Sequence, residues 1–377
     1  MALLGFPAAL GHRAHLPQED VVTVEATSPA EQFPAGGTTR LAGTGSDYAR
    51  LSRIVRAHGL LSRRRGYYGV KIGVNLLLLA SGWAVFGLLG RSWWQLLIAV
   101  FLAVMFTQTG FIGHDAGHRQ ISGSKRADDV IGRIHGNLLI GLSYGWWTAK
   151  HNRHHARPNQ VGRDPDIGGR AIAFTSGQAR ARRGIGSWLA GHQAWLFFPM
   201  LLLEGIHLHV AGVRTLLARR GTTVKLTEAI LLGIHIIGYL VAVFLVLSPI
   251  QAVAFLLVQQ GLFGAYLGCS FAPNHKGMPV LAEDDDLDFL RRQVITSRNI
   301  RGGWLTDFVL GGLNYQIEHH LFPSMPRPSL RRAQEPVRAF CEQHGIGYHE
   351  TGLVSSYVQV LRHLHAVGGS LRPELEY

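Results

Sequence analysis

Seven of the 20 histidines fall in three short groups whose spacing is typical of metal ligands. The groups read HDAGH, HNRHH and QIEHH, and each contains histidines or a glutamine three or four positions apart. On a helix such positions share one face, so the side chains of each group are predicted to point the same way. Three such faces can converge inside a helix bundle and build a metal site. The predicted ligands are His114, His118, His151, His154, His155, His319 and His320.

The residue types narrow the metal chemistry. Nitrogen ligands suit zinc, copper, nickel or iron, but seven histidines exceed what one tetrahedral zinc needs, which favours two metal ions. The HExxH motif of helical metalloproteases is absent. The two cysteines, Cys269 and Cys341, cannot build a CxxC zinc site or a four-cysteine iron–sulfur cluster. Any redox chemistry must therefore depend on the histidines.

Polar residues beside the histidines are predicted to orient the rings. A carboxylate or amide that accepts the second ring N–H fixes the tautomer of a ligating histidine. For Asp164 and Asp166 a simple turn of the chain is an equally good interpretation. Other histidines, among them His209 and His235, lack partners at ligand spacing and are interpreted as core or surface residues. The predicted orienting residues are Asp115, Asn152, Glu318, Asp164 and Asp166.

Apolar runs long enough to cross a bilayer must position these groups. Hydrophobic residues make up 47% of the 377 residues, and a helix needs about 20 apolar residues to cross the hydrocarbon core. We predict an all-α integral membrane protein, with four transmembrane helices in two hairpins and a cytoplasmic helical cap that holds the metals. The predicted spans are Ile72–Leu89, Trp93–Gly113, Ala229–Leu247 and Ala252–Phe271.

The distribution of basic residues predicts the orientation in the membrane. Six Lys and Arg residues lie between positions 53 and 71, whereas the turns at 90–92 and 248–251 hold one charge between them. By the positive-inside rule the N-terminal side and the 114–228 segment are cytoplasmic. A fifth apolar run, Trp195–Val213, is interpreted as an interfacial or half-inserted helix, because a full crossing would separate the last histidine group from the first two. A true span is the alternative.

Residues 1–50 are predicted to form a disordered N-terminal tail, ahead of a membrane domain at 51–377. The tail holds three Lys/Arg against five Asp/Glu and is rich in Gly, Pro, Thr and Ala. The tail contributes −2 to the chain's net charge of +13, which leaves +15 on the membrane domain. A basic cytoplasmic face suits anionic membrane lipid, an acidic acyl carrier or an acidic redox protein, although positive-inside topology alone explains most of it. No nucleic-acid partner is expected.

The three groups resemble the histidine boxes of the membrane fatty acid desaturases, HxxxH, HxxHH and H/QxxHH, arranged around two membrane hairpins. Positions 114–118, 151–155 and 316–320 match these boxes. The stretches WWTAKHNRHHARPNQVGRDPDI and GGLNYQIEHHLFPSMPR resemble the front-end branch, in which Gln replaces the first His of the last box. The resemblance covers roughly 60–340 and implies a fatty acyl desaturase of fatty acid biosynthesis. Such an enzyme uses two iron ions, molecular oxygen and two external electrons to make a cis double bond and releases water.

The resemblance also implies an eighth ligand and the partners. His275 in APNHKG matches a further histidine ligand, while Gln316 is expected to hold a water or a substrate hydrogen bond. The HPGG haem motif of a fused cytochrome b5 does not occur, so the electrons are expected from a separate ferredoxin or NAD(P)H-linked reductase. The acyl substrate is carried on CoA, a carrier protein or a phospholipid. The protein is expected in the cytoplasmic membrane, with its active site facing the cytoplasm.

Two other functions are compatible with these residues. No side-chain base can deprotonate an alkyl CH₂, so the chemistry calls for oxygen activated at a redox metal. Removal of one hydrogen atom from an alkyl CH₂, followed by transfer of oxygen to the same carbon, would give an alcohol. The alternative enzyme is therefore a hydroxylase or another oxygenase. A non-catalytic membrane metal carrier would need ligands along a path through the spans, whereas these histidines are predicted at one level.

Overall fold

The described part of the chain is mostly helical, as the apolar periodicity predicts. The computed structural model describes residues 46–168, 171–218 and 226–372. A π-helix, Ile134–Leu139, follows α4, and a 3₁₀ turn, Pro165–Ile167, follows α5. The first half contains α1 Asp47–Ala57, α2 Arg65–Leu89, α3 Gln95–Gly117, α4 Lys125–Arg133, α5 Tyr144–Ala156, α6 Ser176–Arg180, α7 Ile185–Gly191, α8 Gln193–Leu201 and α9 Glu204–Leu217. The second half contains α10 Leu226–Val246, α11 Pro249–His275, α12 Phe289–Ile295, α13 Trp304–Val309, α14 Gln316–Leu321, α15 Arg327–Gln343 and α16 Leu353–Val367.

Four of the described helices, α2, α3, α10 and α11, are long and apolar enough to cross a membrane. They overlap the four predicted spans, which confirms the prediction of a mostly helical protein with several apolar helices that could span a membrane. Helices α3 and α11 continue past the C-terminal ends of their apolar runs, because a helix ends where its backbone is capped and not at its first polar residue. Consequently α3 carries His114 in its last turn, and α11 ends on His275.

The predicted fifth run falls on α8 and α9, which meet at a bend of 71°. The bent pair packs closely on α11. A Cβ atom on Gly264 would lie 2.4 Å from the backbone nitrogen of Gly205, and one on Gly268 would lie 2.6 Å from the Leu201 side chain. Glycine at these positions therefore lets the bent pair approach the α11 backbone.

Four of the helices that carry no predicted span form a separate core beside the histidine groups. Helices α1, α12, α14 and α15 share this core through buried residues such as Leu51, Leu290, Leu321 and Val337.

The all-α prediction has one exception among the described residues, a short pair of parallel strands. Strand β1, Asn299–Arg301, pairs with β2, Glu350–Gly352.

Most of the predicted N-terminal tail, residues 1–45, lies outside the described residues. The last predicted tail residues do not continue it. Ser46 caps α1 by accepting a hydrogen bond from the Ala49 backbone N–H. The Tyr48 hydroxyl donates to the Leu321 carbonyl oxygen at 3.0 Å. Helical structure thus starts at Asp47, before the predicted boundary at residue 50.

Candidate metal centre

The structure brings all eight predicted ligands into one buried region. The first box lies at the end of α3, the second on α5 and the third on α14, while His275 ends α11. Seven of the rings form two clusters, and within each cluster one ligand nitrogen from every ring lies within 4.8 Å of the others. The first cluster is His114, His118, His151 and His319, and the second cluster is His154, His275 and His320.

The second and third boxes each contribute to both clusters. His151 belongs to the first cluster and His154 to the second, and the adjacent residues His319 and His320 divide in the same way. The expectation that each box points one way is wrong for these two boxes. Neighbouring helical residues differ by about 100° in direction, so a helix that lies between two sites can serve both.

His155 lies between the two clusters. Its Nε2 atom is 3.1 Å from Nε2 of His151, and its ring stacks on that of His320 with centroids 4.1 Å apart. The ring centroid of His118 is 4.5 Å away. His155 is thus within reach of a metal in either cluster.

In the second cluster each Nδ1 donates a hydrogen bond, so Nε2 is left as the acceptor atom of each ring. Nδ1 of His154 donates to the Asp164 carboxylate at 2.9 Å. Nδ1 of His275 donates to the Thr296 carbonyl oxygen at 2.9 Å, and Nδ1 of His320 donates to Gln293 Oε1 at 2.8 Å. A ring that donates through Nδ1 while neutral keeps an acceptor at Nε2. Three such acceptors face one another here, which is the donor set that a metal ion requires.

The first cluster has buried ring nitrogens with no hydrogen-bond partner among the described residues. These are Nε2 of His114, Nε2 of His118 and both nitrogens of His319. Buried polar atoms are normally paired, since an unpaired one costs about 1–3 kcal/mol. A bound metal ion would satisfy these atoms, so the residues of both clusters fit metal ions.

Burial keeps most of these rings neutral. It holds the pKa of His118, His151, His155, His319 and His320 well below the usual histidine value, and the neighbouring rings lower it further. His154 differs: burial lowers its pKa, but the Asp164 carboxylate outweighs burial and raises it overall. Neutral imidazole is the form that binds metal, so the uncharged rings are already suited to it.

Both interpretations of the Asp164–Asp166 stretch apply to Asp164. One carboxylate oxygen accepts from His154, and the other accepts from the Asp166 backbone N–H at 2.8 Å, which caps the 3₁₀ turn. The Asp166 carboxylate lies 3.6 Å from His154 Nδ1 and 2.5 Å from Lys150 Nζ. Asp164 therefore orients a histidine and terminates a turn with the same side chain.

The other predicted orienting residues lie less directly at the rings. Asp115 is 3.5 Å from His114 Nδ1, too long for a strong hydrogen bond, and its carboxylate instead pairs with Arg327 at 2.7 Å. Asn152 has an exposed side chain and does not reach a ring. Gln316 does contact one, because its amide Nε2 donates to His275 Nε2 at 2.8 Å. The prediction is therefore incorrect for Asn152.

Glu318 points away from the histidine rings. It accepts hydrogen bonds from Asn299 Nδ2 at 2.7 Å and from the Tyr348 hydroxyl at 2.8 Å. Burial raises the pKa of Glu318 to about 7 in spite of these bonds. Its role in the described structure is to join α14 to β1 and to the segment before β2.

Sequence reasoning missed Gln293 and Thr296, which fix two rings of the second cluster. Gln293 also donates to the His155 carbonyl oxygen at 2.9 Å, so it connects two boxes. Neither residue lies in a histidine box, and Thr296 acts through its backbone. Spacing carries no signal for such contacts, since any residue can supply a carbonyl oxygen.

Fold and site together define a class: a helical protein with helices of membrane-spanning length and a buried centre of histidine ligands for metal. The chain belongs to the fatty acid desaturase family, whose family model matches residues 91–352. The resemblance drawn from the histidine boxes is thereby confirmed.

Named relatives are consistent with the family. The Acyl-lipid (9-3)-desaturase of Physcomitrium patens is 29% identical over 334 residues, which cover 85% of this chain and 62% of that protein. The Delta(8)-fatty-acid desaturase of Euglena gracilis is 29% identical over 330 residues, which cover 84% of this chain and 78% of that protein. A Delta(5) fatty acid desaturase of Caenorhabditis elegans is 29% identical over 321 residues, which cover 82% of this chain and 71% of that protein. These matches confirm the predicted class, an oxidoreductase of fatty acid desaturation, and leave the double-bond position open because the three names differ in it.

Proposed function

We propose that the chain is a fatty acyl desaturase that inserts a cis double bond at a di-iron centre held by the two clusters. The observation that carries the proposal is a cavity of about 790 Å³ that reaches both clusters. Its walls include His114 of the first cluster and His154 of the second, and continue through apolar residues such as Phe271 and Leu208. Ligand sites combine a mostly apolar lining with a few placed polar groups, and an alkyl chain beside the rings fits this one.

The reaction requires a redox metal. Iron bound by the clusters would activate O₂ and permit removal of hydrogen from unactivated CH₂ groups, which redox-inactive zinc does not do. Overall, –CH₂–CH₂–, O₂, two electrons and two protons give –CH=CH– and two water molecules. The chain's own residues hold the alkyl segment beside the rings and keep bulk water away. Gln316 fixes the ring of His275 at one wall of the cavity.

The proposal includes four spans in two hairpins, with the site on the cytoplasmic side of the cytoplasmic membrane. The C-terminal ends of α3 and α11 both carry histidines of the clusters, which supports a position of both ends on one side of the membrane. An even number of crossings must then separate them. Helices α10 and α11 provide two, which supports a half-inserted α8–α9 pair over a fifth crossing. We further propose a membrane desaturase domain that begins with α1, a few residues before the predicted boundary at residue 51, and an N-terminal tail ahead of it.

Three partners follow from the chemistry. The substrate is an acyl group on CoA, a carrier protein or a phospholipid, and membrane lipid surrounds the spans. The electrons come from a separate donor such as a ferredoxin or an NAD(P)H-linked reductase. The net charge of +13 supports docking of an acidic donor on the cytoplasmic face.

The test is gas chromatography–mass spectrometry of total fatty acids from a host that expresses the wild type or His154→Ala. Derivatisation of the products locates the double bonds. A new unsaturated fatty acid with the wild type alone is the expected result, and it identifies the double-bond position. A hydroxylated product would instead assign an oxygenase, and a purified protein holding redox-inactive metal with no oxygen consumption would assign a metal carrier.

A further inference from the structure

A turn of unusual backbone lies beside the cavity, between the first and second histidine boxes. The π-helix ends at Leu139, and the chain reverses at Gly141, where φ is +68°, before α5 begins. The turn is closed by the Leu142 backbone N–H, which donates to the Gly136 carbonyl oxygen at 2.8 Å. π-Helical turns are rare and frequently occur at functional sites.

Two histidines outside the boxes hold this turn. His235, near the middle of α10, donates through Nδ1 to the Leu138 carbonyl oxygen at 2.9 Å. His209 of α9 donates through Nδ1 to the Gly141 carbonyl oxygen at 2.7 Å. Irregular backbone among apolar helices requires such partners, because an unpaired carbonyl there is costly. We call these two side chains the histidine clamp.

The histidine clamp encloses the turn tightly. The two rings are nearly parallel, with centroids 6.4 Å apart and planes inclined by 14°. A Cβ atom at Gly141 would lie 2.4 Å from the His235 ring and 3.0 Å from the His209 ring. The position therefore requires glycine for its contacts as well as for its positive φ.

The tip of the turn lines the cavity. Ile140 is 1% exposed and forms part of the cavity wall together with Gly110 of α3 and Leu267 of α11. A Cβ atom at Gly110 would lie 3.5 Å from Ile140 Cδ1 and 3.9 Å from Leu267 Cδ2. Gly110 is one helical turn before His114, so these three residues meet just beyond the first cluster.

This part of the cavity is its apolar end. Ile140 and Leu267 belong to the same buried core as Phe106 and Phe263, whose ring centroids are 5.7 Å apart. The charged residues that line the cavity lie outside the turn and outside α3: Lys150, Arg153, Asp166, Glu204, Arg214 and Lys276. An acyl group has a polar end and an apolar end, so its methyl end belongs beside Ile140 and its carrier beside the charged residues.

We propose that the turn held by the histidine clamp closes the methyl end of the acyl cavity, and that Ile140 at its tip determines the chain length the protein accepts. The inference depends on the proposed function. Gly110 provides the space in front of Ile140, and the histidine clamp keeps the tip from retreating when a longer chain presses against it.

The experiment feeds fatty acids of increasing length to a host that expresses each variant and compares the chain lengths of the unsaturated products. Gly110→Leu fills the end of the cavity and should shift the products to shorter chains, whereas Ile140→Ala should shift them to longer chains. A difference of one methylene in an apolar pocket changes preference by about tenfold or more. Gly110→Ala and Ile140→Val are conservative versions of these changes and should give smaller shifts in the same directions. They test the inference if the larger changes prevent folding.

Leu139→Ala is the matched control, because Leu139 precedes Ile140 in the same turn, is half-buried, and does not line the cavity. Its product lengths should equal those of the wild type. Wild-type length preferences in all four cavity variants, or an equal shift with Leu139→Ala, would overturn the inference. If the wild type makes no unsaturated product from any chain, the proposed function fails instead.

His209→Phe tests the histidine clamp itself. It removes the hydrogen bonds of His209 to the Gly141 carbonyl oxygen and to Gln260 Oε1 while a ring remains in place. The expected result is a broader range of product lengths with an unchanged metal content per protein, since His209 lies outside both clusters. Unchanged product lengths would show that the histidine clamp plays no part in selecting chain length, and lost metal would show that its role is structural.

Discussion

The Nε2 atoms of His154 and His275 lie 3.3 Å apart although 121 positions separate the residues in the chain. A neutral ring that donates through Nδ1 keeps Nε2 as its acceptor, and His275 Nε2 also accepts a hydrogen bond from Gln316 Nε2 at 2.8 Å. Two lone pairs repel unless a proton or a cation lies between them. The pair belongs to the second cluster, where a proton or a metal ion would hold the two nitrogens together, and it joins the second box to a histidine outside the boxes.

We expect His275→Ala to remove metal from the second cluster and leave the first cluster occupied. All members of the first cluster come from other positions, so about half of the bound metal should remain. The measurement is the metal content per purified protein. The control is His58→Ala, since His58 is exposed and its side chain hydrogen-bonds to the Ile54 carbonyl oxygen, within its own helix turn. A full metal content in His275→Ala would contradict the ligand assignment.

Asp164→Asn should weaken metal binding in the second cluster without removing a ligand. The amide fits the same space but does not fix the His154 tautomer as a carboxylate does, and loss of such a partner costs about 10–100-fold in metal affinity. The measurement is the chelator concentration that removes half of the metal. The comparison is Asp129→Asn. The Asp129 carboxylate forms ion pairs with Arg119 and Lys125, away from the clusters. Equal chelator sensitivity in the two variants would contradict the role of Asp164.

Arg298→Met should lower the melting temperature of the protein in detergent. Arg298 is fully buried and donates to the carbonyl oxygens of Pro273 at 2.7 Å and Lys276 at 2.7 Å, on either side of His275. Each buried carbonyl left unpaired costs about 1–3 kcal/mol. Arg301→Met is the matched control because Arg301 is exposed. The same melting temperature in both variants would show that these bonds do not stabilise the end of α11.

Two truncations distinguish the N-terminal tail from α1. Removing residues 1–45 should leave the melting temperature unchanged. Removing residues 1–50 also deletes the Tyr48 bond to Leu321 and the Asp47 ion pair with Arg291 at 3.2 Å, and the hydrogen bond alone should account for about 1 kcal/mol. The measurement is thermal unfolding of both proteins. Identical unfolding would show that the first turn of α1 contributes nothing to stability.

Much of the site could be predicted from the sequence because its signals are local. Histidines at helical spacing and apolar runs of bilayer length are periodic patterns, and they indicated the boxes and the four long helices. His275 has no such pattern, and only the family resemblance identified it. Asn152 was assigned wrongly because neighbouring residues on a helix face different directions, and the direction that faces the site is set by packing.

The sequence by itself determined the ligand types, the spacing that gathers them and the apolar segments around them, since each of these depends on residues close together in the chain. Only the tertiary structure decided which rings share a cluster, which oxygen fixes each ring and where the cavity ends. His319 and His320 are adjacent yet serve different clusters, and Ile140 meets Gly110 and Leu267 from distant segments. These relationships arise from the packing of helices far apart in sequence, which no local pattern encodes.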